Sequence, residues 1–442
     1  MPGLDVLLIA VVILSLPLCV ARPWIGVLEY TWLSSMQPHR LAGGIAFDLP
    51  FAKLVAIATI LGWLFTHARY PLPRCREVAL IAAMALLVTC TTWLVALEPE
   101  RARASWSDFL KIVAMSGIGL TLMQDRRKLR LWLLVLALSF GSLGVSGGLF
   151  GLRTLFGKML FGPPESIVSD NNALGFAFTM ILPLLAFLHV DETRTWLRHV
   201  LLAFFALTIV ALFATYSRGS FVGLLIVLTA IVALIRFKDI PLLVAAGFAC
   251  ALVSLAPPQW AERMATIRPS AYKHDESGKE RMKSWYVAWR LGLDHPVLGA
   301  GFHPFSAPVY ERYIPGYSDD HDAHSHFLQM LAEHGFTGLL LFVALLASLS
   351  MRVLRTVRRN RGDPARAWIV HYGEMLLVSF LAYIVGGIFI NQPHAELLYQ
   401  LIAATLALDV IAGAPHGRVE PAGESLLGAI IRRMGDSARA KR

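Results

Sequence analysis

Apolar residues run in long blocks along most of the chain, at roughly 4–20, 46–66, 77–97, 106–123, 130–149, 171–190, 199–216, 220–236, 239–256, 326–350, 369–390 and 395–413. A helix needs ~20 such residues to cross the hydrocarbon core. The pattern therefore predicts an all-α polytopic membrane protein with about twelve transmembrane helices, since helices satisfy their own backbone groups in lipid. Pro23 to Met36 is apolar but too short to cross comfortably, and reads as a re-entrant or interfacial segment. The long polar interruption is 257–325. Inside it Met282, Tyr286, Trp289 and Leu293 recur at helical spacing beside Trp285, which predicts an ordered helix able to lie along the membrane surface. Asp294-His295-Pro296 ends it. The organisation that follows is a first set of nine spans over 1–256, a large helical loop over 257–325, three spans over 326–413 and a basic tail over 414–442. Within the tail, Glu424 to Met434 reads as an amphipathic anchor on the inner leaflet.

Composition agrees with that reading. Hydrophobic residues make up 56% and charged residues 16% of the chain, where a soluble domain carries ~25% charged residues. The formal charge of +10 is then a matter of location. Arg69, Arg74 and Arg76, the Arg126 to Arg130 cluster, Arg194 and Arg198, Arg236 and Lys238, the Arg352 to Arg361 cluster and the tail all fall on one side of a twelve-span chain. By the positive-inside rule that side is cytoplasmic, with both termini inside. The charge is accordingly no footprint of nucleic-acid binding. The segments near 37–45, 98–105, 150–170, 216–219, 257–325 and 391–394 face the opposite, periplasmic side. Cys19, Cys75, Cys90 and Cys250 are scattered, without metal-binding or disulfide spacing.

Candidate chemistry gathers on that outer face. Arg218 lies in Thr215-Tyr216-Ser217-Arg218-Gly219-Ser220, a polar break in a mostly apolar stretch. A guanidinium near hydrocarbon depth costs ~2.5–3.5 kcal/mol on insertion scales. It reads either as a phosphate ligand, with Tyr216 and Ser217 beside it, or as an arginine snorkelling to headgroups. Arg281, with Lys283 and Trp285 on the same predicted helix, is either a second phosphate contact or part of a solvated basic face. His321-Asp322-Ala323-His324-Ser325-His326 offers a general base, a divalent-metal set or a plain histidine-rich loop. Gly299 and Gly301 make either a plain tight turn or one whose amides could face an anion. Asp170-Asn171-Asn172 either caps the sixth span or binds a sugar. Lys53, Asp108 and Lys111 sit in the outer halves of the second and fourth spans, where Asp108 and Lys111 can pair or face an outward cavity.

His324-Ser325, nine residues, then Gly335-Phe336-Thr337-Gly338 resembles the H-[NSQ]-x9-G-x-x-[GTY] pattern of the O-antigen ligase family. The Tyr-Ser-Arg-Gly turn at Arg218, Arg281 ahead of Trp285, and the run Asp294 to Gly301 resemble that family's other signatures, so the likeness spans about 170–345. Pro38-His39-Arg40, Gly162-Pro163-Pro164 and Asp170-Asn171-Asn172 resemble its exosortase-associated O-glycosylation ligase branch. The resemblance implies a glycosyltransferase of the bacterial inner membrane that is metal-independent, requires no cofactor and inverts the anomeric centre. Its donor would be an undecaprenyl-diphosphate-linked glycan, and its acceptor lipid A-core, a polysaccharide or a protein hydroxyl. Membrane lipids would be its other partners. Arg218, Arg281 and His324 become the expected catalytic residues. Ser325 stands where Asn is commoner, and His326 is the alternative base. Related polymerases and protein O-oligosaccharyltransferases share the pattern. A transporter or flippase of a lipid-linked anion is the alternative of a different class.

Overall fold

The computed structural model describes residues 2–42, 44–235, 239–251, 257–265, 276–318 and 320–414. Among the described residues there is no strand. The helices are α1 (Pro2–Ala21), α2 (Pro23–Met36), α3 (Pro38–Ala42), α4 (Phe51–Phe65), α5 (Arg76–Leu94), α6 (Pro99–Leu122), α7 (Arg126–Arg153), α8 (Asn171–Asp191), α9 (Thr195–Ala214), α10 (Arg218–Ile235), α11 (Ile240–Ala251), α12 (Pro258–Ala265), α13 (Glu276–Asp294), α14 (Ala307–Tyr313), α15 (His326–Asn360), α16 (Ala367–Gly386) and α17 (Glu396–Gly413). Each of the twelve apolar blocks contributes a helix. Seven of the described helices are long and apolar enough to cross a membrane by themselves, and α1, α4 and α10 are shorter apolar helices. The tail, with the expected anchor at Glu424 to Met434, lies outside the described residues, as do Arg236 and Lys238.

The ends of the helices are set by local chemistry. Asp125 caps α7 by accepting from the Lys128 amide at 2.9 Å, and Asp170 caps α8 by accepting from the Ala173 amide at 2.9 Å, each satisfying a donor the helix leaves open. Pro23 and Pro99 open α2 and α6, where the missing N–H costs nothing. Helix α8 is the central post: nearly every residue from Ala173 to His189 is buried. Helices α7 and α9 approach closely through glycines. A Cβ on Gly144 would lie 2.2 Å from Thr208 Oγ1, and one on Gly148 2.4 Å from the Leu207 carbonyl. Small residues at such a seam let backbones touch, which is how helices associate without a hydrophobic driving force. Large apolar side chains cover the outside instead, including Leu14, Leu64, Phe65 and Leu340, as lipid-facing surface requires.

Of the two expectations for Pro23–Met36, the interfacial one does not hold. The segment is a helix inside the bundle, with Val27, Tyr30, Leu33 and Ser34 buried. The chain folds back at Arg22, so that Ser15 donates to Glu29 at 2.6 Å. Its polar groups are satisfied internally: Thr31 accepts from the Trp132 indole at 2.9 Å and Ser34 donates to Glu396 at 2.7 Å. Those partners remove the reason for an interfacial position.

Two polar ends bound the bundle. At one, Arg352 joins Glu77 and Asp409, both at 2.6 Å, Arg198 joins Asp239 at 2.6 Å, and Arg361 joins Glu374 at 3.0 Å. At the other, the loops after α2, α5, α7, α9, α13 and α16 meet. There the Leu97 amide donates to the Ala300 carbonyl at 2.9 Å, Gln392 to the Ile167 carbonyl at 2.8 Å, and Asn391 to Asp322 at 2.7 Å. Helix α13 turns Val287, Ala288 and Leu291 inward and leaves Met282, Tyr286, Trp289 and Leu293 about half exposed. The apolar stripe read from the sequence is thus the outward face of this helix.

Candidate functional site

The loop end assembles around the segment 320–326. Asp322 is its hub: Oδ1 lies 3.3 Å from His303 Nδ1 and 3.3 Å from Gln329 Nε2, and Oδ2 accepts from Asn391 at 2.7 Å. Gln329 in turn accepts from the Ala323 amide at 3.0 Å. Tyr310 Oη lies 2.8 Å from Ser284 Oγ and 2.6 Å from the His321 carbonyl, which ties this segment to α13 and therefore to Arg281. His324 is half-buried, in left-handed backbone with φ +47°. Its pKa is held below the usual imidazole value, first by burial and then by the Arg281 charge, with Asp322 and Asp170 pulling the other way. His324 thus feels both α13 and the cap of α8. His303 is the opposite case: its hydrogen bond to Asp322 pushes it up to about 9, so it carries charge at neutral pH.

The second arm comes through the turn before α10. Asn171 donates to the Thr215 carbonyl at 2.8 Å and Ser217 to Asn172 Oδ1 at 2.9 Å, so the 170–172 cap and the Arg218 turn form one unit. Arg218 is half-buried as the first residue of α10. Gly219 behind it packs on Phe389, where a Cβ would come within 2.9 Å of Phe389 Cβ, two residues from the Asn391 that holds Asp322. The arginine turn and the histidine segment thereby share the strip 387–394 as a common wall. Among the described residues, seven that are not glycine have positive φ, namely Gln37, Leu155, Phe156, Glu165, Tyr216, His303 and His324. All seven lie in these outer loops, and such conformations persist only where the surroundings over-determine them.

Several candidates serve the architecture instead. The Tyr216 hydroxyl donates to the Phe156 carbonyl, and Ser217 is buried and bonded to Asn172 and Ser220. Asn171 is spent on Thr215, and Asp170 on its helix cap. The glycine turn does not offer amides to an anion: Gly299 donates to the His295 carbonyl, Ala300 to Ala332 and Gly301 to Glu333. Both glycines take positive φ and pack so tightly that a Cβ would strike Glu333 or Ala96 backbone. His326 is fully buried between Phe176 and Tyr383 and cannot replace His324 as a base. With His326 turned inward, the three loop histidines do not converge on a metal, although the His321 and His324 rings lie 6.4 Å apart. Ser325 is the buried residue before α15 and makes no capping hydrogen bond with its side chain. Lys53 is exposed on α4, and Lys111 pairs with Asp108 at 2.7 Å on the surface. Lys283 rests over the Tyr317 ring at 3.7 Å, and the buried Trp285 indole N–H finds no partner among the described residues.

The structure adds residues the sequence reading passed over. A cavity of about 280 Å³ opens beside the hub, lined by Asp108, His303, Glu333, Asn391 and His394 on its polar side and by Phe109, Phe140, Phe176 and Met180 on its apolar side. Glu333, His334 and His394 bring three possible ligand atoms within 4.8 Å of one another. The polar tetrad Asn391 to His394 between two apolar blocks was the signal that could have pointed here.

Residues 203–343 match a family model described as O-Antigen ligase, and residues 4–193 match one described as a family of unknown function, DUF5935. No curated protein matches the chain.

Proposed function

We propose, from the match of residues 203–343 to the O-antigen ligase family model, that the protein moves a glycan from undecaprenyl diphosphate to an acceptor hydroxyl at the periplasmic membrane face. The observation that carries this reading is that Tyr310 ties Ser284 on α13, close to Arg281, to the His321 carbonyl of the His324 segment, at 2.8 and 2.6 Å. It is supported by the hydrogen-bonded path from Ser217, beside Arg218, to Asn172 on the α8 cap.

In this reaction the acceptor oxygen attacks the anomeric carbon while the bond to the diphosphate breaks, with inversion. Negative charge grows on the leaving diphosphate. Arg281 and Arg218 bind it by forked hydrogen bonds that strengthen as the charge develops. His324 takes the proton from the acceptor hydroxyl. A pKa below the usual imidazole value keeps its ring neutral and ready to accept at periplasmic pH. His303, positively charged against Asp322, adds to the field around the departing anion. The outward stripe Met282, Tyr286, Trp289 and Leu293 rests on the membrane and keeps α13 at headgroup depth. The apolar half of the 280 Å³ cavity suits the first isoprene units of the donor, or an apolar acceptor.

Purified protein with lipid-linked donor is offered lipid A-core, polysaccharide and protein acceptors in turn. Release of undecaprenyl diphosphate tied to glycan transfer supports the proposal, and the acceptor that reacts separates ligase, polymerase and protein glycosyltransferase. Alanine at His324 is expected to slow transfer by ~10²–10⁴, and alanine at Arg281 or Arg218 by ~10²–10³. Full transfer by His324→Ala would remove the histidine as base. Donor translocation without release would show a transporter.

A further inference from the structure

We propose that Glu333, His334 and His394 form a divalent-metal site, of a chemistry suited to Zn²⁺, on the wall of the cavity and separate from His324. The argument begins with hydrogen-bond accounting. Thr91 Oγ1 donates to the Val88 carbonyl at 3.0 Å, so its contact with His334 Nδ1 at 2.9 Å is one in which the ring N–H donates to the hydroxyl oxygen. In a neutral imidazole the proton is then on Nδ1, and Nε2 presents a lone pair. That lone pair faces Glu333 Oε2 at 3.8 Å. Glu333 Oε1 is already occupied by Gln329 Nε2 at 2.7 Å and the His303 amide at 3.1 Å, which leaves Oε2 as a second bare acceptor. His394 Nε2 closes the triangle, 3.6 Å from Glu333 Oε2.

Among the described residues none of these three atoms has a hydrogen-bond partner, and the Glu333 and His334 side chains are 2% and 0% exposed. Two bare acceptors, Glu333 Oε2 and His334 Nε2, facing each other in a buried place are costly unless a cation joins them, and His394 protonated on Nδ1 presents Nε2 as the third. Tetrahedral Zn²⁺ with bonds of ~2.0–2.1 Å holds its ligand atoms about 3.3 Å apart; the two carboxylate edges, 3.6 and 3.8 Å, close by a few tenths of an ångström, and the edge between the imidazoles, within 4.8 Å, closes by a turn of the His394 ring. Two imidazoles and a carboxylate are a zinc-type donor set, and the outer contacts through Thr91, Gln329 and the His303 amide orient two of the three ligands. Glu333 and His394 both line the cavity, which places the fourth position there. The ion would fasten α15, which leaves helical geometry at His334 and Gly335, to the strip 391–394.

The test uses tag-free, full-length protein in detergent, stripped with chelator and titrated with Co²⁺. One equivalent should bind, with the intense visible bands of a low-coordinate site, and Zn²⁺ should displace it and raise the melting temperature. Binding should persist in a His321→Ala/His324→Ala double variant and disappear in Glu333→Gln and His394→Gln. Wild-type protein that takes up no stoichiometric metal, or binding lost in the double variant, overturns the proposal even if the two site variants do not fold. Glycan transfer is assayed separately on the same samples, so a failure of the transferase reading leaves the metal result intact.

Discussion

At the scale of single residues, His324 is defined by what surrounds it. Burial and the Arg281 guanidinium both disfavour its charged form, while Asp322 and Asp170 favour it. The net effect is an imidazole that stays neutral to lower pH than a free one. A base must be unprotonated to act, so the acid limb of kcat/KM is expected below pH ~6.5. Arg281→Gln removes one of the three depressing influences, burial, Arg281 and His321. It should raise the pKa of His324 and move the acid limb upward, in addition to lowering the rate at the plateau. A pH–rate profile of both proteins checks this, and an unmoved limb would disconnect the two residues. His326 shows the limit of such reasoning from sequence. It shares the polar hexapeptide with His324, yet it begins a helix whose first turn packs on Phe176 and Tyr383.

At the scale of elements, the bend in α15 explains a residue that the sequence pattern marks without explaining. His334 and Gly335 leave helical geometry, Gly335 with φ +66° and ψ −170°. The break lets the Phe336 amide donate to the Pro296 carbonyl at 2.8 Å. It also brings Gly335 so close to the 296–299 turn that a Cβ would lie 2.6 Å from the Pro296 carbonyl oxygen. Glycine alone adopts that backbone freely. Gly335→Ala should therefore destabilise the protein by at least ~1–3 kcal/mol, lower its melting temperature and weaken transfer through the displaced loop. A melting curve unchanged from wild type would show that the bend is dispensable. The same element shows what was legible in the chain. Its apolar length, the glycine and the basic end after Arg352 are local signals, and each found its place. The partnership of Glu333 and His334 with His394, and of Asp322 with Asn391, depends on helices far apart in sequence packing together. The Gly299 and Gly301 turn stayed open between its two readings for a related reason: a tight turn looks alike from its sequence whether its N–H groups face a ligand or the neighbouring helix.

At the scale of the whole molecule, chemistry and charge separate to opposite ends. Arginines paired with Glu77, Asp239, Glu374 and Asp409 occupy one end, and the coupled histidines, the strained loop residues and the cavity occupy the other. Lysine and arginine near span ends resist translocation, so the ion-paired end should be cytoplasmic and the histidine end periplasmic. Cysteine labelling decides it. In a background with Cys19, Cys75, Cys90 and Cys250 replaced by serine, single cysteines at Asp320 and Glu165 should react with a membrane-impermeant maleimide added to cells with a permeabilised outer membrane. Single cysteines at Arg127 and Arg359 should react only after the inner membrane is opened. The reverse pattern would place the cavity in the cytoplasm. It would remove the periplasmic assignment of the transfer reaction while leaving the helix packing untouched. Mixed labelling of positions at one end would break the antiparallel order itself. The expected orientation thus rests on the basic clusters at one set of span ends and on the ion pairs of Arg198, Arg352 and Arg361 there, independently of any one side chain in the site.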